Sequence, residues 1–438
     1  PYLSRGLGDV YKRQQMETIS ASESQPKHSL SQLVRSLGPG IMMAAAAVGG
    51  SHLVASTKAG AIYGWQLAAL ILLVNFFKYP FFRASIQYTM GTGESLVEGY
   101  AKLGRPYLWL FVALSVISGI VNTAALLLFS ASLLGYFIPF DLSTTSLCLI
   151  ILATCLTILF AGHYKALDSL SKIIMAVLTI STLTAVAIAT GNPVDAAPAF
   201  EAPSPWSIAA IGFIVVTMGW MPAPIEISSL TSMWLKSQQR HQKVTARSAL
   251  FDFNVGYIGT AILAIVFLAL GTLVLHGSNI ELSQSGVGFS HQLVGLYAST
   301  IGEWSRYLIA AVAFFCIFGS TITVIDGYAR VISESQRLLR KQKEMKPKVT
   351  QGWMLLISAA ALSIIVFWAA ALLPMLDFAM ILAFMTTPFF ALLNYILVSK
   401  SKLPEPLALS NKLKWLSITG LVYLFGFLAV FVWWKWLM

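Results

Sequence analysis

From residue 38 onward the chain is a succession of long apolar runs separated by short polar connections. A helix needs about 20 mostly apolar residues to cross the hydrocarbon of a bilayer. Eleven runs approach that length, at roughly 38–61, 65–88, 107–136, 145–162, 169–190, 207–233, 249–275, 304–328, 352–373, 376–398 and 415–436. The pattern predicts an all-α membrane protein with eleven transmembrane helices. The connections alternate in charge. Lys102 and Arg105, Lys165 and Lys172, Lys236 to Arg247, Arg330 to Lys348, and Lys400 to Lys414 mark every second connection, whereas "IYG", "FIPFDLSTT", "GNPVDAAPAFEAPSPW", "HGSNIELSQSGVGFSHQ" and "LLPMLD" contain no Lys or Arg. Under the positive-inside rule this predicts a cytoplasmic N-terminus and an external C-terminus. The basic runs are short and adjoin spans, so they are expected to set topology and not to bind nucleic acid. The segment 286–303, "GVGFSHQLVGLYASTIGE", is moderately amphipathic and is expected to form an external interfacial helix.

Composition agrees, with 57% hydrophobic and 11% charged residues and a mean hydropathy of +0.74. Cys148, Cys155 and Cys316 all fall inside apolar runs and are expected to be small core residues. At the N-terminus, "DVYKRQ" at 9–14 is the translation of GAT GTG TAT AAG AGA CAG, the end of a sequencing-adapter transposon. Residues 1–15 are therefore expected to be an artefact, with Met16 the start of a disordered cytoplasmic tail to residue 34. Residues 35–400 form the expected core of ten spans, and 401–438 hold the eleventh. Paired carboxylates, HExxH spacing, a nucleophile elbow and a P-loop do not occur, so neither an enzyme nor an ATP-driven pump is expected, and no resident cofactor.

Two runs carry helix breakers at their centre, "AVGGSHLV" in the first and "TMGWMPAPIE" in the sixth. Unwinding a helix in hydrocarbon frees N–H and C=O groups at a cost of several kcal/mol each unless something satisfies them. Paired interruptions in two halves of a chain mark an inverted-repeat transporter with its substrate at the midplane. The expected architecture is five spans per half plus one, with unwinding near Gly49–His52 and Met218–Ala223 and the two breaks facing each other.

The segment "GPGIMMAAAAVGGSHLVASTKAGAIYG" resembles, without a gap, the first span of Nramp-type divalent-metal transporters. "TGESLVE" at 92–98, "MP" at 221–222, "STIT" at 320–323 and "PFFALL" at 388–393 recur in family order, and Asn75 matches an asparagine of the second span. The resemblance implies a LeuT-type fold and proton-linked uptake of a transition metal across the cytoplasmic membrane. It departs from the family where the first span reads Gly49-Gly50-Ser51-His52 in place of Asp-Pro-Gly-Asn, and where Ala223 replaces the histidine after Met-Pro. The third span offers Asn122 where the family has acidic residues. Carried over residue by residue, Met221 is the implied ligand methionine and Met218 the implied carbonyl donor. His52 and Met221 are thus the candidate metal ligands.

The expected substrate site comprises Gly49, Gly50, Ser51, His52, Met218, Trp220, Met221 and Thr386, with Asn75, Lys78 and Glu226 as coupling or gate residues. Lys78 and Glu226 are charges at membrane depth, which are costly and usually face the bundle interior. Asp326 and Arg330 are i,i+4 neighbours and are expected to form a structural ion pair. Loss of the first-span carboxylate disfavours hard dications, while imidazole and thioether suit later transition metals. Two readings stay open: uptake of a divalent metal, or carriage of a small organic or anionic substrate such as an amino or keto acid, held by half-helix N-termini and the Gly49 and Gly50 amides. The expected partners are the transported solute and membrane lipid, and the expected state is a monomer or weak homodimer.

Overall fold

A computed structural model describes residues 38–162, 164–191, 200–241, 244–278, 282–283, 285–368 and 372–437. The expected artefact and tail lie outside them. In chain order the α-helices are α1 (Pro39–Ala47), α2 (Thr57–Tyr63), α3 (Ala68–Thr92), α4 (Leu96–Leu103), α5 (Arg105–Gly135), α6 (Thr144–Phe160), α7 (Tyr164–Gly191) and α8 (Ile211–Gly219). They continue with α9 (Ile227–His241), α10 (Ala246–Leu275), α11 (Gly286–Ile301), α12 (Arg306–Leu339), α13 (Pro347–Trp368), α14 (Leu372–Lys400) and α15 (Asn411–Trp436). Among the described residues eight helical runs are long and apolar enough to cross a membrane, and Thr144–Phe160 and Ile208–Gly219 are shorter apolar helices.

Helix starts follow local chemistry. Ser95 and Glu98 form a capping box at α4, Thr245 and Ser248 one at α10, and Ser143, Ser285 and Ser410 cap α6, α11 and α15. The first helix is capped from a distance. Pro39 sits in its first turn, and the carboxylate of Asp252 on α10 accepts from the backbone N–H groups of Gly38 (2.9 Å), Gly40 (2.7 Å) and Ile41 (3.3 Å). A negative charge at a helix N-terminus is favourable, and here it also supplies acceptors for groups that water cannot reach.

Glycines then bring α1 and α2 onto α10. A Cβ on Gly40 would lie 2.4 Å from the Asp252 carbonyl oxygen, and one on Gly256 would lie 2.3 Å from that of Gly40. Further along, Gly60 and Gly271 meet Leu268 and Thr57 at 2.1 and 2.2 Å. In a bilayer, such small-residue crossings substitute dispersion contact for the hydrophobic effect. The amphipathic segment forms α11, as its pattern suggests, but it is folded into the bundle. Phe289, Leu293, Leu296 and Tyr297 are buried, and the helix packs on α5, α7 and α12. Cys148, Cys155 and Cys316 are buried and free, and Arg330 pairs with Asp326 at 2.6 Å.

The Asp252 cap carries a direct expectation. Asp252→Ala should lower stability by about 1–3 kcal/mol, the cost of leaving buried donors unpaired. Thermal unfolding of the detergent-solubilised variant would read this as a lower midpoint, and an unchanged midpoint would show that the cap is dispensable.

Candidate substrate site between two broken helices

The first span breaks where its glycines stand. α1 ends at Ala47, Val48 and Gly49 leave the helix, and Gly50 re-enters helical backbone ahead of a π-helical turn over Ser51–Ser56 that leads into α2. The break is shorter than the expected Gly49–His52, because the N–H groups of His52 and Leu53 already donate to the Gly49 carbonyl and restart the helix. In the sixth span α8 ends at Gly219 and α9 begins at Ile227, so the interruption runs over 220–226, further than the expected Ala223. Pro222 and Pro224 supply no N–H there.

Neighbouring side chains satisfy the freed carbonyls. The Cys316 thiol lies 3.1 Å from the Val48 oxygen, and Lys78 Nζ lies 2.8 and 3.2 Å from the carbonyl oxygens of Met218 and Gly219. The breaks meet directly: Ser51 Oγ is 3.4 Å from the Pro222 oxygen, and a Cβ on Gly50 would lie 2.6 Å from the Trp220 ring.

Between them is a cavity of about 40 Å³ lined by Ala46, Ala47, Gly50, Ser51, Asn122, Leu126, Trp220, Ala223, Pro224, Ile227, Val324 and Tyr328. At about 10–15 Å³ per water it has room for an ion with a partial shell or a very small solute. Its polar wall is one chain of hydrogen bonds. Trp220 Nε1 can only donate, so the atom facing it at 3.1 Å is Asn122 Oδ1. Asn122 Nδ2 therefore donates to the Tyr328 hydroxyl at 2.9 Å, and that hydroxyl donates to Glu226 Oε1 at 2.9 Å. Glu226 is buried, and its Oε2 has no hydrogen-bond partner among the described residues.

The site residues expected from the sequence divide accordingly. Gly50, Ser51 and Trp220 line the cavity, and Glu226 stands behind Tyr328. Gly49 faces α12, where a Cβ would lie 2.8 Å from Ser320 Oγ. His52 is fully buried and turned toward α10: Nε2 is 2.9 Å from the Thr260 oxygen, and Nδ1 is 2.7 Å from Ser51 Oγ and 3.1 Å from the Ala47 oxygen. Met221 lies under the break, its sulfur 3.7 Å from Ser56 Oγ, and Met218 Sδ is 3.6 Å from the Tyr423 hydroxyl. Thr386 bonds the Ala383 carbonyl within α14, and Asn75 bonds that of Ile71 within α3. Thus His52 and Met221 do not share the cavity wall in this conformation. No group of three or more His, Cys, Asp or Glu side chains suited to a metal occurs among the described residues.

Lys78 brings a positive side chain to the sixth-span break. It is fully buried, and no carboxylate lies within ion-pair distance among the described residues. Its ammonium is held at the C-terminal end of α8, where the helix dipole concentrates about half a negative charge. A unit positive charge and a dication 4 Å apart repel by about 8 kcal/mol at an effective dielectric constant of about 20. A metal on the Met218 carbonyl and an ammonium on the same oxygen therefore exclude each other.

Ion pairs lie on both sides of the breaks. Lys58 on α2 reaches both carboxylate oxygens of Asp377 on α14, at 3.1 and 2.9 Å. Lys58 is seven residues past Ser51, about 10 Å along the helix. The lone charge in "ASTKAGA" was its only sequence signal. On the α9 side, Glu98 of α4 accepts from the Ser95 N–H (2.8 Å) and from Lys236, and Arg337 pairs with Glu334 at 2.7 Å and approaches Glu98 at 3.8 Å. Burial pushes the Glu98 carboxyl up, but the bonds from Lys236 and Ser95 outweigh this and hold it below the usual carboxylate range.

Two expectations follow from these geometries. Asn122→Leu orphans the Trp220 N–H and removes a donor to Tyr328, which should cost about 2 kcal/mol or more in thermal denaturation; a neutral result would remove Asn122 from the polar wall. Glu98 has a depressed folded-state pKa, so its contribution is present above the ordinary carboxylate value and lost as pH falls through the folded one. Melting curves of Glu98→Gln should accordingly start lower near neutrality and fall less steeply in acid than those of the parent; parallel curves would contradict this.

Comparison with known proteins places this geometry. The protein PM0681 of Pasteurella multocida (strain Pm70) is 50% identical over 399 residues, covering 90% of this chain and 91% of that protein. Among solved structures, a mutant manganese transporter of Eremococcus coleocola superposes with a TM-score of 0.69 at 13% identity, over 94% of this chain and 88% of that one. Mhp1, a nucleobase-cation-symport-1 family transporter in a closed conformation with bromovinylhydantoin bound, gives 0.56 at 11% identity, over 91% and 92%. The expected LeuT-type architecture is thereby found in the fold, with its first and sixth spans broken. The family model described as natural resistance-associated macrophage protein-like matches residues 40–434, nearly the whole of the described chain, and this integral membrane protein belongs to the Nramp family.

Proposed function

We propose that the protein is a secondary transporter that carries a divalent transition metal ion through the site between its two broken helices. The observation that supports it most is the meeting of the breaks at a cavity, Ser51 against Pro222 and Gly50 against Trp220. Family membership supports a metal as the cargo, as does the manganese named for the Eremococcus coleocola neighbour. The chain itself retains Met221 and leaves the carbonyls of Met218 and Gly219 outside any helical ladder. A thioether and carbonyl oxygens would replace part of an ion's hydration shell, with selectivity for softer, later metals. The alternating loop charges support a cytoplasmic N-terminus, which puts the cavity beside α1 and α9 on the inner side and Lys58–Asp377 on the outer side. Glu226, buried at the end of the polar chain, is the proposed proton-linked group.

A specific observation favours a second reading, carriage of a small organic anion. Among the described residues the cavity lining contains no carboxylate, both His52 ring nitrogens are engaged, and the buried ammonium of Lys78 stands at the break. An anion would then meet positive charge in place of a metal's ligands.

Proteoliposomes separate the two. Mn²⁺ uptake down its gradient, saturable and weakened about tenfold or more in apparent affinity by Met221→Ala, is the outcome expected of a metal carrier. Uptake of a labelled amino or keto acid without Mn²⁺ flux would replace the metal reading by the second one.

A further inference from the structure

Nothing in the family motifs of the first, third or sixth span concerns Lys78. The side chain comes from the middle of α3, is wholly enclosed, and reaches across to the last turn of α8. Charged side chains at membrane depth pair with one another or with backbone carbonyls. This one is held by two main-chain oxygens that the break itself has freed, Met218 at 2.8 Å and Gly219 at 3.2 Å. Among the described residues Glu226 is an acidic group in its electrostatic reach, and Glu226 Oε1 accepts from Tyr328. The carbonyls at the end of a broken helix are a cation position by construction, since they carry partial negative charge and have no helical donor. In this conformation that position is filled by a cation that belongs to the protein.

We propose that Lys78 is a tethered cation that competes with a transported metal ion for the Met218 and Gly219 carbonyls, so that the break accepts a metal there only when the ammonium has moved off. This rests on the metal-transport reading and goes beyond it by naming the residue that sets the apparent affinity.

The competition is tested by Mn²⁺ titration of the purified full chain in detergent, comparing the parent with Lys78→Met and Lys78→Arg. Removal of the ammonium with a side chain of similar length should raise Mn²⁺ affinity by at least about tenfold, whereas Lys78→Arg, which keeps the charge, should give no gain. Equal affinity of Lys78→Met and the parent, or a gain shared by Lys78→Arg, would overturn the proposal. If Lys78→Met is not monodisperse, Lys78→Gln keeps an N–H for the Met218 oxygen without the charge, and the same gain is expected of it. The two readings fail separately. A parent that carries Mn²⁺ while the uncharged variants bind it no better sinks the competition alone. A parent that neither binds nor carries Mn²⁺, beside an uncharged variant that binds it, upholds the competition and sinks the metal as natural cargo.

Discussion

The constraint on which this molecule depends is that backbone polar groups freed inside a membrane must find partners within the protein. Two helices are interrupted, and each interruption is held by a side chain from elsewhere in the bundle: a thiol from α12 on Val48, and an ammonium from α3 on Met218 and Gly219. These partners tie α3 and α12 to the broken pair. The chemistry of the site is therefore set as much by what mends the breaks as by the breaking residues.

The same economy operates at the ends of the elements. Asp252 makes α10 the N-cap of a helix more than 200 residues earlier in the chain, and facing glycines bring the two backbones into contact beside it. Beyond the breaks, Lys58 and Asp377 join α2 to α14, while Glu98, Lys236, Arg337 and Glu334 join α4, α9 and α12. The second group is a part-buried network, whereas isolated exposed pairs contribute little to stability.

Much of this was legible in the sequence because it is written locally. Apolar runs give spans, and Gly49-Gly50 and Met221-Pro222 give the breaks, since glycine and proline act through their own backbones. The partners were not legible. Lys78 and Met218 are 140 residues apart, and nothing in "VIDGYARV" distinguishes Tyr328 as the link between Asn122 and Glu226. The direction of His52 also escapes a reading by span. Whether its ring faces the gap or α10 depends on the π-helical turn that restarts the helix immediately after Gly50. Thr386 and Asn75 had motif support only, and both side chains bond within their own helices.

The polar wall of the cavity has a sense of direction. Trp220 can only give a hydrogen, which orients the Asn122 amide so that its Nδ2 gives one to the Tyr328 hydroxyl. Every donor along the line faces Glu226. The joint that can turn without disturbing the cavity rim is the Tyr328 hydroxyl, which goes on accepting from Asn122 whether it gives its hydrogen to Glu226 or takes one from it. A proton arriving at Glu226 can therefore be absorbed at Tyr328 while Trp220 keeps its place beside the sixth-span break.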